Sequence, residues 1–404
     1  MFKAIGNRVT DLRGVSRMVV DAISRSTGLV EMMHANIASK STWVTGATVS
    51  GVLNDTTSFI YKRIRGITRA VGGSIDLALD VLAPALGDSG FSPARDAVIA
   101  ALNGVLGDHL AATGNPLAVT MHLRREGRPL ELTREGLADE IQVPSRKVLV
   151  LVHGLCRSDR CWEREGHNYG TELARDLGYT TVYLHYNTGL HIWTNGRAFA
   201  QLLEELVAAW PIPLSEVSIL AHSMGGLVAR SAYHHASATG HSWPCKLRKL
   251  VFLGTPHHGV PLERAGHWVE LLLERTPYTT PFALLGKMRS AGIRDLRHGY
   301  VLETESKMRG RSANGSDSHR SLPLPGRVRC YTVAARIGNA PFPRRDELIG
   351  DGLVPVASAL GDHPDSRRRL RFPRSHQWTA PGTSHLGLLC SGQVYEQIRG
   401  WFGE

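Results

Sequence analysis

Two hydrophobic periods divide the chain. Before about residue 115, apolar side chains step by three and four: Leu12, Val15, Val19 and Ile23, then Ile60, Ile64, Ile67, Val71 and Ile75. This is the spacing of helix faces turned toward a core. A third helix is predicted over 94–110, with Ser92 as its N-cap and Pro93 in its first turn. Gly72-Gly73 weakens the second helix. From about residue 117 the period changes. Residues 117–123 read as a strand, and the turn Arg125-Glu126-Gly127-Arg128 followed by 129–132 predicts a hairpin. Residues 147–152 are a continuous apolar run with polar flanks, the pattern of a parallel strand buried on both faces. Similar runs follow at 181–185, 217–220, 250–253 and 328–333. Helical stretches are predicted at 170–177, 196–210 and 225–238, with a terminal helix at 394–402.

Strand–helix alternation of this kind predicts an α/β fold, a mostly parallel sheet flanked by helices. The expected organisation is an N-terminal helical region over 1–115 and an α/β domain over 116–404. Between 260 and 324 the alternation stops. This insertion holds apolar stretches at 268–273 and 282–285, then a polar Gly/Ser segment at 310–318. Structureless loops of that length are rare in compact domains, so a partly helical cap or lid is expected.

Composition narrows the function classes. Hydrophobic residues make up 42% and charged residues 21%, which argues for a packed core and against a disordered or collagen-like chain. No run of about 18 apolar residues is present to suggest a spanning helix. The N-terminus, MFKAIGNRVTDLRG, does not read as a secretory signal, so a cytoplasmic location is expected. Cys156, Cys161, Cys245, Cys330 and Cys390 are scattered and odd in number. Free thiols are the expectation, with a Cys156–Cys161 bridge as the alternative; no zinc spacing is present. The net charge of +11 invites an anionic partner, but no zinc-finger, RRM or helix-turn-helix pattern supports nucleic acid. Residues 1–70 carry ten Lys/Arg against four Asp/Glu. Within them Lys62, Arg65 and Arg69 form a basic face. Solvated charge on a packed helix is the expected role, and peripheral contact with an anionic membrane is the alternative. The run Arg367, Arg368, Arg369, Arg371 and Arg374 reads as a solvated loop.

The candidate chemistry centres on residues 218–228. An apolar strand ends at Ala221 and an amphipathic helix begins after Gly225, so Ser223 falls on a sharp strand-to-helix turn. Small residues at 221, 225 and 226 suit a backbone that folds back closely. This is the pattern of a nucleophile elbow, with Ala221 in place of the first Gly of G-x-S-x-G. His153-Gly154-Leu155 directly follows the first buried strand, where a backbone N–H can converge with the one after the nucleophile. The Leu155 and Met224 amides are therefore the candidate oxyanion donors, and His153 is expected to make a structural bond within its loop. Asp351, in Gly350-Asp351-Gly352-Leu353-Val354-Pro355, is the candidate acid, with Asp346, Glu347 and Asp362 as rivals. His385 is the candidate base, with His376 and His363 as alternatives; it leaves the right length of chain for one terminal helix. The order Ser223, Asp351, His385 is that of the α/β-hydrolases.

These stretches resemble bacterial lipases and the hydrolase domain of GPI inositol-deacylase-like proteins, within the α/β-hydrolase superfamily. The matching motifs are HGL at 153–155, AHSMGGLVAR at 221–230, LGTPHHG at 253–259, DGLVP at 351–355 and SHLGLL at 384–389. The resemblance implies the α/β-hydrolase fold and a Ser223, Asp351, His385 triad with the Leu155 and Met224 amides as oxyanion donors. It further implies hydrolysis of a carboxylic, lipid-like ester without metal or organic cofactor. A thioesterase, amidase or acyltransferase using the same triad is the alternative, and a non-catalytic binding protein is a more distant one.

Overall fold

In the computed structural model the described residues are 93–260, 290–305, 322–338 and 349–404. The two helices expected before residue 92, the Lys62, Arg65, Arg69 face, most of the 260–324 insertion, Asp346 and Glu347 lie outside them.

The described residues form an eight-stranded sheet with helices against it. In chain order the elements are α1 (Pro93–Ala112), β1 (His122–Arg125), β2 (Arg128–Pro129), α2 (Arg134–Glu140), β3 (Lys147–Val152), β4 (Glu163–Arg164), β5 (His167–Asn168) and α3 (Tyr169–Leu177). There follow β6 (Thr180–His185), α4 (Ile192–Ala209), β7 (Glu216–His222), α5 (Met224–Thr239), β8 (Leu247–Leu253) and α6 (Ala291–His298). The last are β9 (Arg329–Ala335), α7 (Val356–Ala359), β10 (Gln377–Ala380) and α8 (Gly392–Gly403). The sheet order is β10-β9-β8-β7-β3-β6-β1-β2. Pairing is parallel from β10 through β6 and antiparallel at β6–β1 and β1–β2. The short β4–β5 hairpin stands apart as a second sheet.

The central strands are as apolar as their burial demands. Val148, Leu149, Val150, Leu151 and Val152 are all fully buried, as are Val217, Ile219, Leu220 and Ala221 on β7. Both faces of these strands are covered, which is why the sequence shows runs rather than alternation. From β3 the chain crosses to β6 on one side, then returns past β3 to β7. Right-handed crossovers in opposite directions put α3 on one face and α4 with α5 on the other. The contacts agree: α3 packs on α8, and α4 packs on α5. The loops leaving β3 and β7 therefore part to opposite faces, opening a crevice at their carboxyl ends.

Two details depart from the sequence expectation. The first strand begins at His122 rather than 117, because side chains capture the preceding backbone. Asn115 Oδ1 accepts from Leu117 N (2.9 Å), while Asn103 donates to Leu117 O (2.8 Å) and accepts from Val119 N (2.9 Å). Those peptide groups are thus unavailable to a ladder. The hairpin turn after it is as expected, closed by Glu126 and Gly127 with φ of 51° and 76°, but the returning strand is only Arg128–Pro129 rather than 129–132. The second detail is an unexpected edge strand, β10, whose half-buried Gln-Trp-Thr offers no apolar run.

Helix α1 belongs to the core of the sheet. Val98, Ala101, Leu102, Val105 and Leu110 join the same buried cluster as β3 and β7. A polar bridge ties it to the loop after β3: Arg160 Nε lies 2.9 Å from Asp96 Oδ2, and Arg124 Nη1 lies 3.0 Å from Asp159 Oδ1.

Candidate active site

Ser223 stands between β7 and α5 with φ 55° and ψ −127°. A non-glycine residue in that region carries backbone strain of about 1–3 kcal/mol, tolerated where the surroundings over-determine it. Here the Ser223 N–H donates to Leu253 O (2.8 Å), and its carbonyl accepts from Gly226 N (3.1 Å). The two glycines after it are dictated by contact. A Cβ on Gly225 would lie 2.6 Å from both the Val152 and His153 carbonyl oxygens, and one on Gly226 would lie 2.1 Å from Thr255 Oγ1. So the start of α5 is pressed onto the end of β3, and no larger side chain fits. Ser223 Oγ is buried and has no hydrogen-bond partner among the described residues.

The loop after β3 lies directly over the serine. A Cβ on Gly154 would come 2.9 Å from Ser223 Cβ, which places Leu155 beside the elbow. Cys156 next to it takes φ 57°, and its N–H donates to Thr188 Oγ1 (3.1 Å). His153 is engaged with its own loop and with Tyr186. Its Nδ1 donates to Gly154 O (2.9 Å), its carbonyl accepts from Tyr186 OH (2.8 Å), and it stacks on the Tyr186 ring at 4.4 Å. Burial pushes its imidazole down to about 3, so it stays neutral. The structural role expected of His153 agrees with these contacts.

The structure brings Asp351 and His385 together. His385 Nδ1 donates to Asp351 Oδ2 (2.7 Å), and its backbone N–H donates to Asp351 O (2.9 Å). The other carboxylate oxygen, Oδ1, accepts from Leu353 N (2.9 Å) and Val354 N (2.7 Å). Gly350 and Gly352, both at positive φ, let the loop curl tightly enough to make those bonds. The rivals among the described residues are elsewhere: Asp362 is exposed, His376 Nδ1 donates to Cys330 O (3.1 Å), and His363 Nδ1 accepts from Asp365 N (3.0 Å).

Two residues not singled out from sequence join these parts. Gly254, with φ 56°, follows the carbonyl that holds Ser223 N; a Cβ there would lie 3.1 Å from Asp351 Oδ2 and 3.2 Å from His385 Cε1. Its missing side chain is the space that the Asp351–His385 pair occupies. His222, beside the serine, directs Nε2 at His385 O (3.1 Å). The Gly in LGTP could have been questioned from sequence, since it follows a strand end; His222 lies within the AHSMGGLVAR stretch, but nothing in the sequence marks its contact with His385.

The site region is rich in buried neutral histidine. His153, His222 and His257 are each at most 1% exposed. Burial lowers His222 and His257 well below the usual range, assisted by His385 and by Arg230 respectively. Unfolding would expose these rings to water, where they take protons below about pH 6.5. The unfolded chain then binds more protons than the folded one, so stability should fall as pH drops through 6.5. The slope approaches about 1.4 kcal/mol per pH unit for each such histidine. Urea midpoints measured from pH 7.5 to 5, above the carboxylate range, should decline steadily; a flat profile there would contradict the burial.

Residues 120–297 match a family described as a domain of unknown function (DUF7379). No curated protein matches the chain. Among solved structures, the mature form of Bacillus licheniformis lipase BlEst2 is 19% identical, with 70% of this chain and 98% of that chain covered and a TM-score of 0.43. Lipase 1 from Pelosinus fermentans is 13% identical over 64% of this chain and 97% of its own, with a TM-score of 0.38. The naproxen esterase of Bacillus subtilis is 14% identical over 63% and 83%, with a TM-score of 0.36. The ground for the fold lies in this chain's own architecture: a mostly parallel sheet, crossovers reversing at β3, an elbow serine after β7 and an acid and histidine at later strand ends. The chain has the α/β-hydrolase fold.

Proposed function

We propose that the protein is a serine hydrolase acting on carboxylic esters. The observation that carries this reading is the 2.7 Å contact from His385 Nδ1 to Asp351 Oδ2 beside an elbow serine held at φ 55°. In this reaction Ser223 Oγ attacks the ester carbonyl carbon while His385 Nε2 takes its proton. Asp351 keeps the proton of the neutral imidazole on Nδ1 and stabilises the imidazolium once formed. Negative charge collects on the carbonyl oxygen, where the Leu155 and Met224 amides would meet it. The buried crevice makes such fixed dipoles more effective than water. His385 then passes its proton to the leaving alcohol, and the acyl-serine is cleaved by a water activated by the same imidazole.

The apolar stretches at 268–273 and 282–285 support a lipid-like acyl group. A panel of p-nitrophenyl esters of rising chain length tests both levels at once, with Ser223→Ala as the blank. Turnover above the blank, rising from acetate toward medium chains, is expected. Turnover confined to the shortest ester would remove the lipid-like acyl group and leave the hydrolase. No turnover, with no labelling of Ser223 by a fluorophosphonate, would remove the hydrolase.

A further inference from the structure

One buried polar group beside this constellation has no part in the reaction as described. His222 is 1% exposed, and its ring centroid lies 4.6 Å from that of His385. Its Nε2 is 3.1 Å from the His385 carbonyl oxygen. A carbonyl oxygen can only accept, so the hydrogen sits on Nε2 and Nδ1 is bare. That Nδ1 is buried without a hydrogen-bond partner among the described residues, and a Cβ on Gly154 would lie 3.2 Å from it.

His385 is thereby held through at least three of its atoms. Its N–H and its Nδ1 are tied to Asp351, at 2.9 and 2.7 Å. These two bonds tie His385 to the Asp351 loop. The bond from His222 to the His385 carbonyl is different in kind, because His222 is covalently joined to Ser223. It couples the loop bearing the histidine to the strand bearing the serine, without touching either reacting atom.

We propose that His222 is a positioning residue that sets the separation between Ser223 Oγ and the His385 ring. The proposal rests on the serine-hydrolase reading above. A general base has to lie within about 2.6–3.2 Å of the proton it takes. Misplacement by about 1 Å can cost about 10²-fold in rate. A neutral donor suits the place, since a second cation beside His385 would oppose the imidazolium formed during acyl transfer.

Two polar replacements separate this role from mere packing. In His222→Gln the amide nitrogen can occupy the place of Nε2, whereas in His222→Asn it reaches only the place of Nδ1. With p-nitrophenyl esters, His222→Gln should keep kcat within about five-fold of wild type. His222→Asn should lose about 10–100-fold in kcat, with KM within about three-fold, because the binding crevice is untouched. Fluorophosphonate labelling of Ser223 should slow in parallel, and rates are scaled to the folded fraction from urea unfolding. A kcat for His222→Asn within three-fold of wild type, or a His222→Gln enzyme as slow as His222→Asn, overturns the proposal. Should His222→Asn fail to fold, His222→Gln decides: a folded variant more than ten-fold slower overturns it, and one within five-fold upholds it. A folded wild-type chain that neither hydrolyses nor labels would instead overturn the serine-hydrolase reading.

Discussion

Replacing Ser223 with alanine is expected to remove ester hydrolysis almost completely, by about 10³–10⁶-fold in turnover, with no loss of stability. Members of a triad act as a unit, so deletion of the nucleophile leaves only what substrate binding and the oxyanion donors supply. Stability should hold for a reason visible in the site. The hydroxyl is buried and makes no hydrogen bond among the described residues, so its removal breaks none of those and relieves a desolvated polar atom. Alanine keeps the Cβ and meets the same φ of 55° at about the same strain. The unfolding temperature should be equal to or higher than that of wild type, the signature of a residue kept for chemistry at a cost in stability. Retained hydrolysis in this variant would end the functional reading; a lowered unfolding temperature would end only the account of the elbow.

Asp351→Asn is expected to lower turnover by about 10²–10⁴-fold, near the range known for the corresponding change in serine proteases. The loop explains why an isosteric change does so much. Oδ1 already accepts two backbone N–H groups, from Leu353 and Val354, so asparagine has to keep its carbonyl oxygen there. Its NH2 group is then forced toward His385 Nδ1, which accepts rather than donates. The imidazole is left with its proton on Nε2, the nitrogen that should receive the proton of Ser223. Loop shape and folding change little, so the loss should fall on kcat. Asp362→Asn, at an exposed carboxylate, should stay within a few-fold of wild type. If Asp362→Asn abolished turnover and Asp351→Asn did not, the acid would be misassigned while the fold and the elbow stood.

The sheet was legible because its central strands are buried on both faces, and residues 148–152 leave no polar position to mislead. The elbow was legible because close contact, with the end of β3 at 225 and with Thr255 and Phe252 at 226, admits only small residues there. What escaped has physical causes of its own. β10 is an edge strand whose side chains are half exposed, so burial imposes no pattern on it. The stretch 117–120 reads as the start of a strand, yet Asn103 and Asn115 take its backbone bonds, and no periodicity records a side-chain capture such as that by Asn103, sixteen residues from Val119. Gly254 and His222 act through space on residues over ninety positions away. Short motifs report what surrounds a residue in the chain, whereas the vacancy at Gly254 is defined by Asp351 and His385.

The sheet is closed from the far end of the chain. Tyr169 OH donates to Ser391 O (2.8 Å), Tyr395 OH to Asp176 Oδ2 (2.6 Å) and Lys249 Nζ to Phe402 O (2.6 Å), so α8 clasps strands and helices made much earlier. During synthesis, β3 through β8 and the elbow leave the ribosome long before residue 385 does. At that stage Ser223 has neither His385 nor the Asp351 loop beside it. A nascent chain therefore carries the elbow serine on an unclasped sheet, and the Asp351–His385 pair joins it late, together with the helix that locks the fold.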